Sequence, residues 1–74
     1  MKHILIADDD IHINKMLADV LSKGGCRVSH AYSGTEVLLM LSGSKPDLIL
    51  LDLMLPGLLN EDVLHEISDT PLLL

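Results

Sequence analysis

Aromatic residues are nearly missing from this chain. Tyr32 stands alone, and there is no Trp or Phe among 74 residues. Leu, Ile, Val and Met must therefore fill any core, from a composition that is 49% apolar. Cysteine is as scarce. Cys26 has no internal disulfide partner, which fits a reduced, cytoplasmic compartment. Basic residues number 5 against 11 acidic ones, for a formal net charge of -6. That balance argues against direct contact with nucleic acid or an anionic membrane surface, and it suits a bound cation. No apolar run is long enough to span a bilayer, because Leu48 to Leu59 is interrupted by Asp52 and Pro56. Met1-Lys2-His3 leads into a short apolar run with no small-residue cleavage site, so no signal peptide is read. No Gly-rich segment follows that run, which counts against a dinucleotide or P-loop site. His3, His12, His30 and His65 are scattered without metal-ligand spacing and read as surface or strand-edge residues. A chain this short buries a small fraction of its surface, so one domain is the ceiling.

What is present alternates. His3 to Ala7 is a continuous apolar run stopped by Asp8-Asp9-Asp10, the pattern of a strand buried on both faces. Asp10 then caps a helix whose expected buried stripe is Ile13, Met16, Leu17, Val20 and Leu21, with Asn14, Lys15, Asp19 and Ser22 opposite. Lys23-Gly24-Gly25 ends it. Cys26 to Ala31 reads as a second strand, with Cys26 as a small buried apolar residue. Ser33-Gly34-Thr35 caps a second helix carrying Val37, Leu38 and Leu41, and Pro46 forbids its continuation. Leu48 to Leu51 is the clearest buried strand and stops at Asp52. Asn60 caps a third helix carrying Val63, Leu64 and Ile67; Leu72 to Leu74 opens a fourth strand. The methionines are expected to fill core and loop gaps. Alternation of this kind predicts an α/β fold, a parallel sheet with helices on its faces and right-handed crossovers.

All strands of a parallel sheet run one way, so Asp8, Asp9 and Asp52 are expected to meet at its C-terminal edge, where such sheets bind ligands. Taken alone, three aspartates after a strand read as a solvated turn and a helix cap. Two strand ends that bring like charge to one edge are harder to explain so, because each carboxylate opposes ionisation of the others. A hard divalent cation such as Mg2+ resolves the conflict with only one or two carboxylates. An Asp beside it can act as a nucleophile toward a phosphoryl group.

These residues carry a resemblance. Ile4-Leu5-Ile6-Ala7-Asp8-Asp9-Asp10 is similar to the first strand and acidic cluster of response-regulator receiver domains of two-component systems. Pro46-Asp47-Leu48-Ile49-Leu50-Leu51-Asp52-Leu53-Met54-Leu55-Pro56-Gly57 resembles their phospho-acceptor strand and following loop, and Ala31 to Leu38 resembles the opening of their second helix. The resemblance covers essentially the whole chain. It implies a flavodoxin-like receiver fold with strand order 2-1-3. It further implies that Asp52 takes a phosphoryl group from the phosphohistidine of a sensor histidine kinase. Mg2+ would be held by Asp9 and Asp52, by the backbone carbonyl of Met54, and by Asp8 acting mainly through a metal-bound water. The chain would then be a phospho-acceptor and not an enzyme, cytoplasmic, and would control an output domain, with transcription as the expected output.

The departures are equally specific. Leu58-Leu59-Asn60 stands where the family has Met-Asp-Gly, and both leucines are expected to be exposed near the site. The family has five strand-helix units, with a Ser or Thr ending the fourth strand and a Lys ending the fifth. Residues 1–74 are read as the first three units of such a receiver, truncated as the fourth strand begins. Thr70, before Pro71, is not the switch hydroxyl. Exposure of Leu72-Leu73-Leu74 raises self-association or a swapped oligomer. Two other readings compete: a binding or dimerisation fragment that is not phosphorylated, and a Mg2+-dependent phosphatase with an aspartyl intermediate. The second wants an Asp two residues after the nucleophile, where Met54 stands.

Overall fold

The computed structural model describes residues 1–74. Strand β1 (His3–Ala7) leads into helix α1 (Ile11–Lys23), then β2 (Arg27–Ala31), α2 (Gly34–Gly43), β3 (Leu48–Leu51), α3 (Glu61–Ser68) and β4 (Leu72–Leu73). All pairings are parallel, in the order β2-β1-β3-β4. The order 2-1-3 expected for the first three strands is therefore observed. Ile4 to Ala7 of β1 lie opposite Leu48 to Leu51 of β3, so both strands finish level and Asp8 and Asp52 leave the sheet side by side.

Local signals set the boundaries. The Asp10 side chain accepts from the backbone N–H groups of His12 and Ile13 and starts α1. Gly25 takes a positive φ of 89° just beyond that helix, a conformation glycine adopts at little cost. Ser33 accepts from Glu36 N–H at the start of α2, and Asn60 accepts from Asp62 and Val63 at the start of α3. No helix is long and apolar enough to cross a membrane.

Side chains alternate across the sheet and feed two unequal cores. On one face Leu5, Ala7, Ile49 and Leu51 pack beneath α2 and α3, against Val37, Leu41, Val63 and Ile67. On the other face Ile4, Ile6 and Ala18 are buried under α1 alone, flanked by the half-buried Leu17, Leu21, Leu48 and Leu50. The expectation that β3 is buried on both faces thus holds only for its α2–α3 side.

Several sequence expectations are corrected. The buried stripe of α1 is Asn14, Leu17, Ala18 and Leu21, with Asn14 fully buried. Ile13, Met16 and Val20 face outward, Val20 at 64% exposure. The helix is rotated because the Asn14 amide satisfies carbonyls at the end of β1, and Ala18 one turn later permits close approach. Leu58 is buried in the larger core and only Leu59 projects outward. Leu64 of α3 is also exposed. Met1, Met16, Met40 and Met54 all lie at the surface and do not fill the core. His3 is buried, with Nε2 2.7 Å from Ser29 Oγ and Nδ1 unpartnered. Cys26 is half-buried, just before β2.

Candidate metal centre

Three chain segments deliver the site. At the end of β1, Asp8 N–H donates to Ala31 O at 3.0 Å, which holds the chain to β2 for one residue past the sheet. At the end of β3, Asp52 N–H donates to Ala7 O at 2.9 Å and ties β3 to β1. The third segment is the loop after Asp52. Met54 N–H donates to Asp52 Oδ1 at 2.9 Å, and Leu55 N–H donates to Asp52 O at 3.0 Å. The backbone of this loop therefore turns tightly over Asp52 and separates its two carboxylate oxygens. Oδ1 is engaged by the loop, and Oδ2 has no donor from the protein.

Asp8, Asp9 and Asp52 each place a carboxylate oxygen within 4.8 Å of the others. Asp8 and Asp52 are half-buried and Asp9 is exposed. Two unit charges at that spacing repel by roughly 1–3 kcal/mol, depending on how far water screens them. An all-oxygen, anionic donor set of this size fits a hard divalent cation. Asp8 Oδ1 accepts a hydrogen bond from Asp10 N–H at 2.9 Å. This bond fixes Asp8 without adding a counter-charge. Asp10 itself turns away to cap α1.

The loop that carries Met54 is anchored from behind. Gly34 N–H donates to Pro56 O at 2.7 Å, and a Cβ on Gly34 would lie 2.4 Å from Gly57 O. Only a glycine at position 34 lets the start of α2 sit this close to the loop. Gly57 has a φ of 81° and turns the chain there. Leu55 and Leu58 fill the larger core on either side of this turn, so the loop is pinned by apolar side chains as well as by the backbone.

The structure thus brings together the carboxylates of Asp8, Asp9 and Asp52 that the sequence singled out. Met54 adjoins Asp52 through its N–H, with its side chain 83% exposed. Thr70 donates from Oγ1 to Glu66 O at the end of α3, before β4 begins, and takes no part in the site. Two contributing residues escape a reading of the sequence. Asn14 donates from Nδ2 to Asp8 O at 3.0 Å and to Ile6 O at 3.3 Å. His30 Nδ1 meets Asn14 Oδ1, and the His30 ring stacks on Tyr32 with centroids 6.2 Å apart. The one signal available was the spacing of Asn14 and Ala18, which offers α1 a second stripe with Leu17 and Leu21.

Comparison with known proteins agrees with this geometry. The sequence model of the response regulator receiver domain matches residues 4–72. The DNA-binding response regulator MtrA of Mycobacterium tuberculosis (strain ATCC 25618 / H37Rv) is 42% identical over 62 residues, covering 84% of this chain and 27% of that protein. The transcriptional regulatory protein AfsQ1 of Streptomyces coelicolor is 40% identical over 70 residues, covering 95% of this chain and 31% of its own length. The chain thus spans less than a third of these relatives. Among solved structures, the response regulator TrrA of Thermotoga maritima, in complex with Mg(2+)-BeF, superposes with a TM-score of 0.81 at 32% identity. That match covers 97% of this chain and 66% of the other. A level pair of strand ends carrying clustered aspartates, a flavodoxin-like parallel sheet and a family match over nearly every residue lead to one assignment: this chain belongs to the response regulator receiver domain family.

Proposed function

We infer that this chain is a phospho-accepting receiver of a two-component phosphorelay, with Asp52 as the acceptor. The observation that carries the reading is the convergence of Asp8, Asp9 and Asp52 within 4.8 Å at the C-terminal edge of the sheet. Asp52 closes a strand that is hydrogen-bonded on both sides, so its carboxylate starts from a rigid base. With Oδ1 held by Met54 N–H, Oδ2 is the oxygen free to attack.

In the proposed transfer, Asp52 Oδ2 attacks the phosphorus of a sensor kinase's phosphohistidine. A P–O bond forms as the P–N bond breaks, and the electron pair of that bond returns to the imidazole nitrogen of the kinase. Asp8, Asp9, Asp52 and the Met54 carbonyl would hold Mg2+, Asp8 mainly through a bound water. The ion supplies charge neutralisation on the transferred oxygens. The names of the relatives point to transcription as the controlled activity, exercised by an output domain. The acidic segment described here gives nucleic acid no grip, and it serves as the input side.

The test is incubation with a small-molecule phosphodonor, with and without Mg2+, followed by intact mass measurement. The wild-type chain is expected to gain one phosphoryl group in Mg2+ and little in chelator. Asp52→Asn removes the gain. Asp10→Asn preserves it, because Asn caps a helix as well as Asp does. Equal labelling of the Asp52→Asn chain would sink the assignment.

A further inference from the structure

Asn14 is a fully buried amide on the face of α1 that meets the sheet, where an apolar side chain is the ordinary choice. Burying an amide is unfavourable unless its hydrogen bonds are made. Here they are made, and to particular partners. Nδ2 donates to the carbonyl of Ile6, the penultimate residue of β1, and to Asp8 O, where the chain leaves the sheet. Both partners are carbonyl acceptors, so the amide has only one orientation. Its Oδ1 must face His30, which sits opposite Ile6 on the edge strand β2. The contact is a hydrogen bond only if His30 Nδ1 carries the proton.

The placement of Asp8 O gives the amide a consequence for the metal centre. Asp8 is held at three points: its N–H by Ala31 O, its Oδ1 by Asp10 N–H, and its carbonyl by Asn14. Asp9 follows on the peptide whose carbonyl Asn14 holds. The Asp9 side chain has no hydrogen bond of its own, so its position is set through that peptide plane.

We propose that Asn14 and His30, which braces the Asn14 amide at Oδ1, are a positioning pair for the acidic site: they fix the Asp8–Asp9 peptide and thereby the cation affinity of the site, without touching the ion. This inference rests on the reading of the aspartates as a Mg2+ centre. Residues that orient metal ligands without binding metal typically change affinity by about 10- to 100-fold when removed.

His30 is the residue to vary, because it lies half-exposed on an edge strand and its replacement leaves Asn14 in place. Mg2+ affinity of the full chain is measured by calorimetry for wild type, His30→Leu and His30→Asn, each well below its melting temperature. Asn presents an amide donor near the position of Nδ1; Leu presents none. The expected result is about tenfold weaker binding for His30→Leu and near wild-type binding for His30→Asn. A role for His30 confined to fold stability would leave Mg2+ affinity at the wild-type value in both variants. Wild-type affinity in His30→Leu overturns the proposal, and so does a His30→Asn as weak as His30→Leu. If wild type itself fails to bind Mg2+, the metal reading falls and the positioning role falls with it. A measurement without substitution stands beside these. The ¹⁵N shifts of His30 should show a protonated Nδ1, and a neutral ring protonated only at Nε2 would overturn the orientation argued here.

Discussion

Ile49 and Leu50 are neighbours on β3 and point to opposite faces of one sheet. Ile49 is wholly buried among Val37, Leu41, Val63 and Ile67, beneath two helices. Leu50 is half-buried on the face that α1 covers alone, where it lines an open apolar groove of about 510 Å³ with Ile6, Leu17 and Leu73. Asp8 and Asp52 also line that groove. The difference separates two tasks. The α2–α3 face carries most of the packing and pins the loop after Asp52 through Leu55 and Leu58. The α1 face is thin and contributes mainly through Asn14, which orders the ends of β1.

The sharpest way to break this comparison is truncation of the two neighbours. Ile49→Ala should cost about 2–5 kcal/mol, the usual range for deleting most of a buried aliphatic side chain. Leu50→Ala should cost roughly 1 kcal/mol, since much of its surface is already in water. Urea titrations of the two variants measure both, and equal losses would mean the faces are packed alike. A smaller effect is expected from Gly34→Ala. The new methyl would meet Gly57 O at 2.4 Å, so the loop or the start of α2 must shift. Overpacking of this kind costs about 1–3 kcal/mol. The expected signature is a lower melting temperature together with displaced amide resonances at Met54 and Gly57. An unchanged loop spectrum would show that Gly34 does not set the loop.

The well-covered face also holds a weak point. His3 shares the side of β1 occupied by Leu5 and Ala7, and its Nδ1 is the only buried side-chain polar atom without a partner. Burial, and secondarily the charge of Arg27, holds its imidazole below the ordinary 6.5, with Asp47 opposing. The unfolded chain therefore binds this proton more readily than the folded one. The contribution is present above pH 6.5 and is lost as the pH falls below that value toward the folded pKa. Asp47 acts in a lower window. The backbone N–H of His3 donates to its Oδ2 at 2.7 Å and lowers its pKa from 3.8. Its contribution holds above 3.8 and is lost as the pH falls through the lower folded value. Melting temperatures across acid pH should show two declines, and His3→Gln should remove the first. A first decline that survives in His3→Gln would assign it to another group.

Much of this architecture is legible in the residues. Apolar runs that stop at Asp8 and Asp52 place both strand ends, and a parallel sheet then brings the carboxylates together. Asp10, Ser33 and Asn60 mark the helix starts because a side-chain oxygen beside free N–H groups has one local use. What periodicity misread are places where a polar group is buried for a tertiary reason. Asn14 looks like a solvent-facing residue until the carbonyls of Ile6 and Asp8 are seen above it. His3 looks like an edge residue until the pairing of β1 with β2 brings Ser29, opposite Leu5, within reach of its ring. Leu58 looks exposed because it follows Pro56-Gly57, yet the turn at Gly57 swings it back into the larger core. Each depends on a partner distant in sequence, or on a turn, that no local window contains.

The smallest predicted effect tests the rotation of α1 directly. A stripe of Ile13, Met16 and Val20 satisfies helical spacing, so pattern alone would make Val20→Lys a buried charge and a severe lesion. In the structure Val20 is exposed, and α1 meets the sheet through Asn14, Leu17, Ala18 and Leu21. A lysine at position 20 then stays in water, near the C-terminal end of the helix where positive charge is favoured. It should change stability by no more than about 0.5 kcal/mol. Ala18→Lys, two residues away on the buried side, should be far more damaging, because the long side chain must displace Ile4 or Ile6 to reach solvent. Thermal melts of the two variants decide the matter. If Val20→Lys is the worse of the pair, α1 lies in the rotation its hydrophobic pattern implies. The Asn14 amide would then face away from Asp8, and the positioning role argued for it would have no structural basis.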